Sequence, residues 1–140
     1  MVGVFNLEMV RLYSYIYQQS DKNYMIVHGL DGYDEVSLTG DFRIATRSTD
    51  KVLSPQDLGL PTLKAEELAG GTTVAESAKI FTNVLENEAT EAQKSAVIAN
   101  SALGIHAANP AIALIDATAM AREAIESKKA LARFKAFLEA

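Results

Sequence analysis

Val27-His28-Gly29-Leu30-Asp31-Gly32-Tyr33-Asp34-Glu35-Val36-Ser37-Leu38-Thr39-Gly40 is the stretch from which the fold can be read. The run leading into it, Tyr24-Met25-Ile26-Val27, is continuously apolar, which suits a parallel strand covered on both faces. His28-Gly29 closes that run, Asp31-Gly32 marks a turn, and Asp34-Glu35 sets two adjacent carboxylates within the turn. Open α/β sheets bind ligands in loops at the carboxyl ends of buried strands. After the acids, Val36 and Leu38 alternate with Ser37 and Thr39, the pattern of a half-buried strand. Thr39-Gly40-Asp41 can then reverse the chain into Phe42, Ile44 and Thr46, so a hairpin is expected between these two runs.

Before the stretch, Asn6 is an N-cap for a helix from Leu7 to about Gln19, with Met9, Leu12, Tyr13 and Ile16 on one face. After it, Val52-Leu53 suggests a short strand, and Ser54-Pro55-Gln56-Asp57 a turn or 3₁₀ segment. From Lys64 onward the pattern is helical. Thr73-x-x-Glu76 and Thr90-x-x-Gln93 have capping-box spacing, and Asn109-Pro110 stops the second of these helices. Two more helices are expected over residues 111–126 and 128–139, with Ser127 as the cap between them. The order is helix, strand, hairpin, then several helices: an α/β arrangement with one parallel-type strand and a hairpin. A parallel-type strand with no second parallel neighbour keeps an unpaired edge.

Composition narrows the function classes. The 140 residues are one domain's worth; 49% are hydrophobic and 22% charged, as in a globular protein with a real core. Eighteen acidic against 13 basic residues leave a net charge of −5 with no basic block, which argues against nucleic acid as a partner. The absence of cysteine removes disulfides, thiolate metal sites and cysteine nucleophiles, and it fits a cytoplasmic setting. The longest apolar stretch, Ser95 to Ala108, is too short to cross a membrane and reads as a core helix.

Asp34 and Glu35 are the candidate site residues. In regular strand, neighbouring acids point to opposite faces and are simply solvated. In a turn both can approach one hard cation such as magnesium, which takes one or two protein carboxylates and shares phosphate oxygens. Asp31 reads as a turn residue whose side chain caps local backbone, and His28 and His106 as structural histidines without metal-ligand spacing. Gly70-Gly71-Thr72-Thr73 precedes a helix but has neither P-loop nor dinucleotide spacing.

Three segments carry a family resemblance. They are Val2-Gly3-Val4 with Leu7-Glu8, His28 through Gly40, and Ser54-Pro55-Gln56-Asp57-Leu58-Gly59-Leu60. Downstream, Gly70-Gly71, Ala75-Glu76, Val84-Leu85, Asn100-Ser101-Ala102-Leu103 and Ala121-Arg122-Glu123-Ala124 follow in the same order. The chain thus resembles the anthranilate phosphoribosyltransferases, which transfer a phosphoribosyl group from phosphoribosyl pyrophosphate to anthranilate in tryptophan biosynthesis. The resemblance implies the C-terminal part of a phosphoribosyltransferase α/β domain over residues 1–140, without the N-terminal helical domain. It makes Asp34-Glu35 the Mg²⁺ site. The family's Gly-Thr-Gly-Gly-Asp diphosphate loop, its Lys-His-Gly segment and its anthranilate-binding arginine have no match here. The expectation is therefore a portion of that enzyme, inactive alone and associating into a homo-oligomer. The alternative, from another class, is a stand-alone assembly module that reuses the fold.

Overall fold

The computed structural model describes all 140 residues. Its sheet has four strands in the order β1 (Val2–Gly3), β2 (Ile26–Gly29), β3 (Phe42–Ala45) and β4 (Asp50–Leu53). β1 and β2 are parallel, whereas β2–β3 and β3–β4 are antiparallel. The connection from β1 to β2 runs through α1 (Leu7–Tyr17), as parallel neighbours require. All four residues of β2 are buried, in keeping with its unbroken apolar run.

Two expectations about the sheet are corrected. β2 has no unpaired edge: β1 pairs with it on one side and β3 on the other, so β1 and β4 are the edge strands. A two-residue strand at the start of a chain is too short to give a periodic signal. The hairpin is also different. It joins β3 to β4 through Thr46–Thr49, whereas residues 36–39 form no ladder. Val36 and Leu38 are buried because the loop tucks inward.

The helical half follows its punctuation closely. Asn6 Oδ1 accepts from the Met9 N–H at 2.8 Å and opens α1. Pro55–Leu58 and Ala65–Leu68 are 3₁₀ turns, the first held by Asp57, which accepts from the Ser54 N–H and hydroxyl. Both capping boxes form, Thr73 with Glu76 at the start of α2 (Val74–Glu86) and Thr90 with Gln93 at the start of α3 (Glu91–Ala108). Asn109-Pro110 ends α3 as expected. α4 spans Leu114–Glu126 and α5 spans Lys129–Leu138. Ser127 closes α4 and does not cap α5, because the left-handed Lys128 turns the chain between them.

The main core joins the sheet to α3 and α4, with Met25, Val27, Phe42, Ile44, Leu58, Ile98 and Leu103 inside it. A smaller cluster, Val4, Val10, Ile26 and Ala45, seats α1 on the other face. No helix is long and apolar enough to cross a membrane.

Several carboxyl groups are held below the usual carboxylate range. The Arg43 guanidinium, hydrogen-bonded at 2.7 and 2.8 Å, does this for Asp50. The Ser54 backbone and hydroxyl do it for Asp57, the Thr72 hydroxyl and backbone N–H groups for Glu76, and Lys94 for Glu91. A depressed folded pKa contributes stability above the unfolded value, and that contribution is lost as pH falls through the folded one. The melting temperature should therefore be flat on the acid side until about pH 4, the unfolded carboxylate range, and then fall. Thermal melts from pH 7 to 2.5 would check this, and Arg43→Gln should remove part of the acid sensitivity.

Candidate metal-binding loop

The sheet places the loop of residues 30–41 at the carboxyl end of β2, and Asp34 and Glu35 lie on bends within it, both exposed. This is the position that their spacing from the strand predicts. They are not in a regular strand.

The loop is fixed by contacts that local sequence does not reveal. Gly29 N–H donates to the Tyr33 carbonyl at 2.8 Å, folding the start of the loop back on the strand. Leu30 N–H donates to Asp41 O at 2.9 Å and closes its base. Glycine is needed at two points of close approach. A β-carbon on Gly3 would overlap the Asp34 carbonyl oxygen, and one on Gly29 would come 2.8 Å from Asp31 Oδ1 and 3.1 Å from Glu35 O.

Asp31 is engaged within the loop. Its Oδ2 accepts hydrogen bonds from the Ser37 and Thr39 hydroxyls, so this carboxylate staples side chains and does not cap backbone N–H groups as expected. Asp34 and Glu35 differ: neither side chain has a hydrogen bond or ion pair within the chain. Their oxygens are available to an external cation while the backbone beneath them is held. No group of three or more His, Asp or Glu side chains gathers here, so further ligands would be water or substrate oxygens. The donors present are two unengaged carboxylates, hard oxygen ligands of the kind magnesium takes.

Glu35 also borders a cleft of about 780 Å³ between the loop, the Ala65–Leu68 turn and α3, with Tyr33, Val36, Leu68, Val97 and Asn100 among its walls. That volume falls in the range of small-molecule sites. Asp34 instead packs over the end of β1.

His28 is buried, with its Nδ1 at 2.9 Å from the Val4 carbonyl, and His106 Nδ1 lies 2.7 Å from Ile112 O. Both serve structure, as their isolation in sequence suggested.

Leu38 is fully buried with φ +64°, a left-handed conformation that costs a branched side chain about 1–2 kcal/mol. Its carbonyl accepts from the Leu63 N–H at 2.8 Å, which holds it there. Leu38→Ala should lose about 2–5 kcal/mol through the cavity it leaves. Leu38→Gly should be no less stable than the alanine variant, because relief at positive φ offsets the smaller side chain. Urea denaturation of both variants would check the order.

Comparison with known proteins follows the same outline. Residues 1–131 match the family model described as "Glycosyl transferase family, a/b domain". The chain is 53% identical over 135 residues to an anthranilate phosphoribosyltransferase of Cytophaga hutchinsonii, covering 96% of this chain and 41% of that protein. It superposes on the anthranilate phosphoribosyltransferase of Thermus thermophilus with a TM-score of 0.86 at 30% identity, over 99% of this chain and 42% of that one. The fold also matches the Saccharomyces cerevisiae enzyme in complex with PRPP and Mg, with a TM-score of 0.87 at 22% identity over 98% of this chain and 39% of that one. The chain spans about two fifths of the length of these relatives.

Proposed function

The chain belongs to the glycosyl transferase family with this α/β domain, and from that premise we propose that it is the carboxyl-terminal portion of an anthranilate phosphoribosyltransferase. On this reading residues 1–140 are one partial domain that carries the metal-binding carboxylates Asp34 and Glu35. The observation that carries it is the pairing of two unengaged carboxylates with a loop anchored on both sides, at the carboxyl end of a buried strand. The yeast relative in complex with PRPP and Mg supports magnesium as the cation.

When bound, magnesium would supply positive charge to a departing diphosphate. The chain's own residues do the rest of what this portion contributes. Asp34 and Glu35 would hold the cation, and Gly3 and Gly29 let the loop lie close to the strand ends. The hydrogen bonds at Tyr33 and Val36 hold the loop backbone, which would limit reorganisation as charge develops. No side chain in the cleft is an evident nucleophile or general base, and the chain lacks the diphosphate-binding glycine loop described above.

The isolated chain should therefore transfer no phosphoribosyl group at any magnesium concentration. Mixing it with the amino-terminal portion of the Cytophaga relative should restore turnover of anthranilate and phosphoribosyl pyrophosphate. Turnover by the pure 140-residue chain would overturn the reading.

Self-association belongs to the same proposal. β1 is an edge strand, and Phe5 after it and Leu12, Tyr15 and Ile16 on α1 are exposed. Unpaired edges and apolar patches recruit other chains. Sedimentation equilibrium at micromolar concentration should show a dimer or larger species. A concentration-independent monomer would favour the stand-alone module.

A further inference from the structure

We infer that Asn100, on α3, is a positioning residue for the Asp34–Glu35 carboxylates; the inference rests on the metal-site reading proposed above. The Asn100 side chain faces the backbone of one loop residue, Val36. Its Oδ1 accepts from the Val36 N–H at 3.0 Å, and its Nδ2 donates to the Val36 carbonyl at 2.8 Å. A second Nδ2 hydrogen bond, 2.9 Å to Ala96 O, ties the amide to its own helix. The amide thus pairs with Val36 as a neighbouring strand would, although no strand is present.

The placement of this clamp gives it consequence. Tyr33 is fixed by its carbonyl to Gly29 N–H, and Val36 is fixed at both backbone groups by Asn100. The two residues between these anchors are Asp34 and Glu35. Each carboxylate is therefore one residue from a point held against the sheet or against α3. Asp31 binds the Ser37 and Thr39 hydroxyls and makes no hydrogen bond to the Val36 backbone. The orientation of the amide is set by chemistry as well, since a flipped amide would oppose its NH₂ to the Val36 N–H. Asparagine is a poor helix former, so packing α3 alone gives no reason for it at this position. Outer groups that orient metal ligands typically change metal affinity by about 10–100-fold when removed.

The test uses the 140-residue chain with Mn²⁺ as a paramagnetic probe, reading the broadening of backbone amide signals at residues 33–37. Asn100→Leu removes both bonds to Val36 with a side chain of similar size; Asn100→Ser removes them with a small polar one and is read if the leucine variant does not fold. Ala102→Gly is the stability control, since Ala102 is buried on the same helix and has no side-chain polar group to bond the loop. Both Asn100 variants should expose the Val36 amide to hydrogen exchange and raise the Mn²⁺ concentration for half-broadening about tenfold. Ala102→Gly should lower the melting temperature without moving that concentration. An unchanged Mn²⁺ midpoint in the folded Asn100 variants overturns the positioning role. Absence of localised broadening in the unsubstituted chain, or broadening that survives Asp34→Ala with Glu35→Ala, overturns the metal reading itself.

Discussion

Replacing Asp34 and Glu35 together with alanine should cut magnesium-dependent turnover steeply while leaving the fold almost untouched. The setting is a fusion in which this chain replaces the matching portion of the Cytophaga relative. Both side chains are exposed and neither is bonded within the protein, so their removal takes away no buried contact. Surface substitutions of this kind usually change stability by about 0.5 kcal/mol or less. The loop keeps its anchors at Tyr33 and Val36, so its path should persist. A cation that stabilises developing charge is worth several kcal/mol, and each 1.4 kcal/mol is tenfold in rate, so the loss should be on the order of a hundred- to a thousand-fold. Steady-state assays across a magnesium series, with thermal melts in parallel, would separate the two effects. A variant with the parent's magnesium dependence would remove Asp34 and Glu35 from the site. A variant that melts far below the parent would mean that the carboxylates are structural.

Gly3→Ala should have the largest effect on stability of any single methyl added to this chain. A β-carbon there would overlap the Asp34 carbonyl oxygen, which is backbone and cannot rotate away. Either β1 leaves β2 or the carboxylate loop lifts. Overpacking of this kind costs about 1–3 kcal/mol and occasionally more, against a total of about 5–15 kcal/mol for a domain. The same change should displace Asp34, so function should fall along with stability. Urea denaturation should show a lower midpoint, and amide chemical shifts at residues 2–4 and 33–36 should move together. An alanine variant with the parent's midpoint and loop shifts would mean that the loop does not rest on β1.

Much of this arrangement is legible in the chain because local chemistry dictates it. Asn6, Thr73, Thr90 and Pro110 mark helix ends through bonds spanning a few residues, and each acts as its type and spacing suggest. The unbroken run before His28 gives the buried strand, and Asp34-Glu35 follows it into a loop. The errors arise where partners are distant. Val36 and Leu38 alternate like a strand, yet the Val36 backbone pairs with the Asn100 amide and the Leu38 carbonyl with the Leu63 N–H. Alternation reports burial on one side, and it cannot tell a ladder from a loop held by a side-chain amide. β1 escapes notice because two residues have no period, and its role emerges only when β2 is in place beside it. Asn100 carries no local signal at all, since its partner lies 64 residues away.

The most direct test of the central claim is turnover by the unsubstituted fusion of this chain to the amino-terminal portion of the Cytophaga relative, with anthranilate and phosphoribosyl pyrophosphate as substrates. Release of pyrophosphate that requires both substrates and rises with magnesium to saturation is the predicted result. A folded fusion that releases none, under conditions where the intact relative is active, would contradict the assignment of this chain as the metal-bearing portion of such an enzyme.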